Sequence, residues 1–293
     1  MSISLYQLGE LVFTLEASGV PVPKNFEMFR ISAGTPAYHY EFQLVDSLCW
    51  DRTDFQVHKD ALCIAVRGGL ETRYLCLPGQ DHPYAVSEEL GAAHTRVRIA
   101  RTDLSWLAFD NVFCSLLSLE RRMFPLDFYV LHSAYTVYEG QAILFTAPSG
   151  VGKSTQAELW EKHRGAHLIN GDRSLLHFRG GRLYASGWPV CGSSGVCRNE
   201  CYPVRAIVLL EQAGENRVDR LTEQEYTLRL MRELTINYHN PKFFDGALDF
   251  LSRLVAGADL RRLRCDISLQ AVECLHAALY SDPSQEETTW SKP

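Results

Sequence analysis

A chain of 293 residues, 46% hydrophobic and 22% charged, is long enough for one large globular domain or two modest ones and has the composition of neither a disordered nor a fibrous polymer. Its formal net charge of −6 gives no reason to expect a nucleic-acid partner. No apolar run approaches bilayer-spanning length and residues 1–7 lack a basic signal region, so the expectation is no membrane partner and a cytoplasmic location. Nine cysteines without a paired framework read as reduced thiols. Cys191, Cys197 and Cys201 fall close together, yet their segment has neither the C-x-x-C shape nor the histidine of a zinc knuckle, so reduced loop thiols are expected there too.

Residues 1–103 read as a small β-rich domain. Strands are predicted at 11–16, 38–44, 62–66 and 71–77, separated by glycine- and proline-containing turns. The last two should pair across Gly68-Gly69, and the whole reads as an antiparallel unit without a catalytic signature. His39, His58, His82 and His94 have no spaced carboxylate or cysteine partners and are assigned surface or core roles. At Leu104 the period changes. Leu104, Leu107, Ala108, Val112, Leu116 and Leu119 recur at helical spacing up to Pro125, with Phe109, Phe113 and Leu117 widening the stripe. This predicts one well-buried helix opening a second domain over 104–280.

That domain continues with strand segments at 128–132 and 134–138, a Glu139-Gly140 turn and an apolar strand at 142–146. A helix-compatible run at 156–162 precedes a short strand at 167–170 and a hairpin, 175–178 with 182–185, around Gly180-Gly181. Residues 187–200 lack regular pattern, and 206–210 form a buried strand. Helices follow at 222–238, capped by Thr222 with Glu225 three residues on, at 243–255, opened by Pro241, and at 269–280, with a strand at 260–265 before the last. Residues 281–293 are polar and read as a flexible tail.

The chemistry concentrates in Ala147-Pro148-Ser149-Gly150-Val151-Gly152-Lys153-Ser154-Thr155, between the strand at 142–146 and the helix. Strand, glycine loop and helix in that order is the context of a phosphate-binding loop, whose backbone N–H groups and helix start attract a polyphosphate. Ser149, Gly150, Val151, Gly152, Lys153, Ser154 and Thr155 are therefore the expected nucleotide-binding residues, with Lys153 on the terminal phosphates and the Ser154 hydroxyl on Mg²⁺. Ala147 stands where the motif has its first glycine, which requires a negative φ there. A metal-orienting carboxylate is also needed, and Asp172 ends the next apolar strand 19 residues after Lys153. Asp172 could equally take the proton of an attacking hydroxyl. His132, 21 residues before Lys153, ends an apolar run and has a structural reading as well as a catalytic one. The 192–199 segment offers flexible backbone and one cation, Arg198, able to neutralise charge in a phosphoryl-transfer transition state.

From His132 through Ser149-Gly150-Val151-Gly152-Lys153-Ser154 to Gly171-Asp172-Arg173, the chain resembles HPr kinase/phosphorylase and its relatives. Those relatives include kinase-like proteins found with peptide-modification gene clusters and, more remotely, ATP-dependent phosphoenolpyruvate carboxykinase. The resemblance covers about 128–280. It implies an α/β fold, a P-loop kinase domain of HPr kinase/carboxykinase type preceded by the β-rich domain, and a homo-oligomer. It also implies ATP and Mg²⁺ as cofactors, His132 and Asp172 as catalytic-site residues, and transfer of the γ-phosphate to the hydroxyl of a peptide serine or a small-molecule alcohol. Three departures stand out: Ala147 for glycine, Thr155 where HPr kinases usually have glutamate, and one acid where the family has two. Either Arg173 replaces the second acid or Gly171 replaces the first. The competing readings are a nucleotide-binding sensor or peptide-binding module without catalysis, and a carboxykinase-like small-molecule enzyme.

Overall fold

The computed structural model describes residues 3–50, 55–59, 61–80 and 82–281. The predicted tail therefore lies outside the described residues apart from Ser281. The chain builds two large mixed sheets. The first holds β1 (Ile3–Leu8), β2 (Leu11–Glu16), β3 (Arg30–Ile31), β4 (Tyr38–Val45), β5 (Val57–Lys59), β6 (Leu62–Arg67), β7 (Leu70–Cys76), β8 (Pro83–Gly91) and β9 (His94–Ala100), with α1 (Lys24–Glu27) between β2 and β3. Its order is β3-β1-β2-β4-β9-β8-β7-β6-β5. β6 and β7 pair across Gly68-Gly69, both at positive φ, as the glycine pair predicted.

The antiparallel expectation needs correction, because β4 runs parallel to both β2 and β9. Alternating apolar positions define which face of a strand is buried and carry no information on its direction. β1, β8 and β9 were not among the predicted strands.

The single helix expected from 104 to 122 is broken. A 3-10 segment (Arg101–Ala108), α2 (Asp110–Leu117), α3 (Leu119–Met123) and a second 3-10 turn (Phe124–Leu126) replace it. Ser118 adopts φ 49, and the Tyr40 hydroxyl donates to the Leu117 carbonyl at 2.7 Å, so a tertiary hydrogen bond terminates α2 where its own chain would have continued. Phe109 is 55% exposed, off the predicted stripe. Leu107, Phe113, Leu116, Leu117 and Met123 pack into the core of the first sheet with Phe13, Phe26 and Tyr40.

The second sheet comprises β10 (Tyr129–Tyr138), β11 (Gln141–Thr146), β12 (His167–Asn170), β13 (Arg173–Arg179), β14 (Arg182–Ser186), β15 (Cys201–Gln212), β16 (Arg217–Asp219) and β17 (Leu260–Cys265). The hairpins at Glu139-Gly140 and Gly180-Gly181 form with positive φ at all four residues. Helices α4 (Lys153–Arg164) and α7 (Leu269–Tyr280) cover one face of the parallel strands β11, β15 and β17; α5 (Glu223–Glu233) and α6 (Pro241–Gly257) cover the other. Alternation sorts the side chains: Ile143, Phe145 and Val208 meet Trp160 of α4, while Leu144, Ile207 and Leu209 meet Phe250 and Leu230.

Two long strands are shared. β10 pairs with β13 through residues 129–132 and with β11 from Ser133 onward, and β15 likewise passes from β14 to β11. His132 is thus the last residue of one ladder and Ser133 the first of the next. The helix expected over 222–238 forms with its Thr222–Glu225 capping box but stops at Glu233. Leu234 turns extended, bridges Leu131, and Thr235 N–H donates to the Val130 carbonyl at 2.8 Å. Pairing with β10 outcompetes one more helical turn.

Candidate functional site

The loop from Ala147 to Gly152 leaves the C-terminal end of β11 and enters α4. Ala147 is buried and lies outside the left-handed region, so the missing glycine costs the backbone nothing. Gly150 and Gly152 are at φ 83 and 111, where side chains are strained. Pro148, Ser149 and Gly150 are exposed, and Gln212 of β15 reaches the Val151 carbonyl at 3.3 Å. No side chain caps α4, which leaves its first-turn N–H groups free to face an anion. Lys153 turns back into the loop, its ammonium donating to the Ala147 carbonyl at 2.9 Å. Burial lowers its pKa, opposed by the charges of Glu233 and Asp172. Thr155 follows as a half-buried residue of α4.

The Ser154 hydroxyl donates to the Gly171 carbonyl at 2.9 Å, which ties the start of α4 to the turn carrying Asp172. That turn is shaped by Asn170, fully buried at the end of β12. Its Oδ1 accepts from the N–H groups of Asp172 and Arg173, both at 2.8 Å, and its Nδ2 donates to the Trp188 and Val190 carbonyls. One amide therefore anchors both the acid turn and the irregular 187–200 segment.

Asp172 faces His132, with Oδ1 3.4 Å from Nε2, because Ser133 N–H holds the Asp172 carbonyl at the ladder switch of β10. The His132 hydrogen bond lowers the Asp172 pKa, against burial and with help from Arg173 and Lys153. The other ring nitrogen of His132, Nδ1, sits 2.9 Å from Oε2 of Glu233. Glu233 was not anticipated. It lies 101 residues from His132, at a helix end that only pairing of Leu234 with β10 creates, and no spacing signal connects the two.

Gly171 cannot carry the absent acid as the chain is packed: a Cβ there would lie 2.2 Å from Ser194 Oγ, itself hydrogen-bonded to the Cys191 carbonyl. Arg173 occupies the other candidate position and ion-pairs with Asp172 at 3.2 Å. Gly192, in the predicted loop, approaches the Asp172 side chain so closely that a Cβ would lie 3.0 Å from it. Arg198 is elsewhere. Its Nε donates to the Leu168 carbonyl at 3.1 Å, and among the described residues it makes no hydrogen bond or ion pair with Asp172, His132 or Lys153. The arginine beside the acid is Arg173.

All nine cysteines are free thiols, and Cys191 and Cys197 are buried beside Asn25 and Asp110 while Cys201 is exposed. Burial holds Cys197 up at about 12, so it stays a protonated core thiol. Among the described residues no group of three or more histidine, cysteine or acidic side chains is arranged to hold a metal. Asp172 and the Ser154 hydroxyl, which the Gly171 carbonyl ties to the Asp172 turn, fit Mg²⁺, which takes few protein ligands and keeps phosphate and water oxygens. No helix among the described residues is long and apolar enough to cross a membrane.

No family model matches the chain, and no curated protein matches it. Among solved structures, the HPr(Ser) kinase/phosphatase from Coxiella burnetii aligns over 31% of this chain and 72% of its own, at 17% identity and a TM-score of 0.23.

Proposed function

We propose that this protein is an ATP- and Mg²⁺-dependent kinase that transfers the γ-phosphate to a hydroxyl, on a peptide or protein serine or a small-molecule alcohol. The observation that carries the reading is the convergence of an uncapped helix start after a glycine loop with Asp172, through the Ser154–Gly171 hydrogen bond of 2.9 Å. Backbone N–H groups of 149–154 and the Lys153 ammonium hold the phosphates. Ser154 and Asp172 would hold Mg²⁺, which when bound neutralises charge developing on the transferred group.

Asp172 accepts the hydrogen bond of the incoming hydroxyl. Its lowered pKa keeps it ionised at neutral pH, and a loose transition state needs positioning more than a strong base. His132 serves this acid instead of replacing it. With Nδ1 2.9 Å from Glu233 and Nε2 3.4 Å from Asp172, the ring is placed to orient that acid. Arg173, at 3.2 Å from Asp172, is the cation placed to stabilise charge; Arg198, bonded to β12, supports the fold of the covering segment.

Lys153→Ala and Asp172→Ala should each lower ATP-dependent phosphoryl transfer by about a hundredfold or more, measured as ADP release with candidate acceptors. Undiminished nucleotide turnover in both variants would falsify the site.

A further inference from the structure

We infer that the loop between β17 and α7 is the base side of the nucleotide site, with the flat face of the nucleobase lying on Ile267. This rests on the phosphate-loop reading and adds to it where the rest of the nucleotide goes. β11 has β10 on one side and β15 on the other, and β17 runs parallel to β15 beyond it. Their carboxyl ends stand side by side at one edge of the sheet, Thr146 in register with Leu209 and Gln212 with Cys265. Asp172 sits on the β10 side, where its carbonyl accepts from Ser133 N–H. The transferred phosphate belongs next to that acid. The base therefore leaves the phosphate loop in the other direction, toward β15 and β17, into the crevice beyond the strand ends where open α/β sheets take nucleotides.

Two glutamines tie this region to the phosphate loop. Gln156 N–H donates to the Gly152 carbonyl at 2.9 Å, and its Nε2 donates to the Asp266 carbonyl at 2.8 Å. Gln212, the partner of Cys265, donates from Nε2 to the Val151 carbonyl at 3.3 Å. The loop itself is held by its own polar groups. Asp266 Oδ1 accepts from Asn216 Nδ2 at 3.0 Å and from Ser268 N–H at 3.1 Å, while Asn216 Oδ1 accepts from Asp266 N–H at 3.1 Å. Ile267 stands between these two anchored residues. It is 75% exposed, more than any other large apolar side chain among the described residues, and Leu269, two positions on, is 41% exposed. A fixed framework thus presents aliphatic surface to solvent beside the phosphate loop. Such a surface offers nothing to a phosphate or a sugar hydroxyl, but it matches the apolar face of a base.

Calorimetric titration of the full chain with Mg²⁺ present compares ADP with inorganic pyrophosphate, which fills the phosphate loop but carries no base. ADP should bind the wild-type chain about tenfold tighter or more. Ile267→Ala should weaken ADP about fivefold, and Ile267→Asp further, while pyrophosphate binds Ile267→Ala as it binds wild type. Substitution at so exposed a position leaves the fold intact, so the comparison reads binding alone. Equal affinities for ADP and pyrophosphate in the wild-type chain, or an ADP affinity that Ile267→Ala leaves unchanged, overturn the base site while the phosphate loop stands. Sedimentation of the same variant tests the other occupant of an apolar surface: a dimer lost in Ile267→Ala with ADP affinity intact makes Ile267 an interface residue and overturns the proposal. If neither ligand binds the wild-type chain, the phosphate-loop reading falls and the base site falls with it.

Discussion

Where α3 packs on the first sheet, Glu71, Glu89 and Glu120 meet Arg73, Arg121 and Arg122, with Arg121 Nη1 2.7 Å from Glu71 and Arg121 Nε 2.6 Å from Glu89. In the second, Asp172 and Glu233 meet His132, Arg173 and Lys153. The first group is shut away, Glu71 being 3% and Glu89 7% exposed, with each carboxylate paired to arginine. The second keeps His132 and Asp172 about a quarter exposed at the side chain, with the Gly192 segment and an uncapped helix start against it. Similar residue types therefore do different work. Buried, paired charges fix how α3 and the 235–242 segment sit on the sheet, through contacts such as His239 to Glu71 at 3.2 Å; the partly open ones keep polar atoms at the surface.

The sharpest way to break this contrast is to remove one partner from each group. Glu71→Ala should destabilise the protein by about 3–5 kcal/mol in urea unfolding, because Arg73 and Arg121 would be left buried and uncompensated. The Asp172→Ala variant should unfold within about 1 kcal/mol of wild type while losing phosphoryl transfer, since its partners reach solvent. Equal stability losses would erase the distinction.

Acid titration probes the same difference. Burial alone would raise the Glu71 pKa, but the His239 hydrogen bond and the Arg73 and Arg121 charges hold it at about 2. Folded, the carboxyl binds its proton more weakly than in the unfolded chain, whose pKa is about 4.3. Its contribution is complete above that value and is lost as pH falls from about 4.3 toward 2, amounting to about 3 kcal/mol at most. Stability measured across this window should flatten in Glu71→Gln. A smaller effect tests the packing of the site. Gly171→Ala should cost about 1–3 kcal/mol by thermal unfolding, because Ser194 is held by its bond to the Cys191 carbonyl and cannot swing aside freely.

Much of the architecture was legible locally. The hairpins at 68–69, 139–140 and 180–181 follow from residues that accept positive φ, and the Thr222 cap and the 269–280 helix appear where their capping and apolar spacing put them. The helix over 104–122 misled because its stripe was real while the Tyr40 hydroxyl, 77 residues away from Leu117, interrupts it. Parallel pairing of β4 was illegible for a similar reason: side-chain alternation is the same in either direction. In the site, His132, Lys153, Ser154 and Asp172 carry local signals, since each ends or follows an apolar run of the sequence or starts a helix. Glu233 carries none, and Arg198 carried one that its bond to Leu168 redirects.

By itself, then, the sequence determined the glycine loop, its flanking strand and helix, and the acid that follows the next strand, because a glycine loop's geometry is written in backbone permissiveness within a dozen residues. Only the tertiary structure decided which groups attend that acid. The switch of β10 between two ladders sets His132 against Asp172, the pairing of Leu234 with Leu131 ends α5 at Glu233, and the packing of Ser194 on Gly171 closes the position of a second acid. Each depends on contacts between segments distant in the chain, whose strength comes from burial and hydrogen bonding that no local pattern encodes.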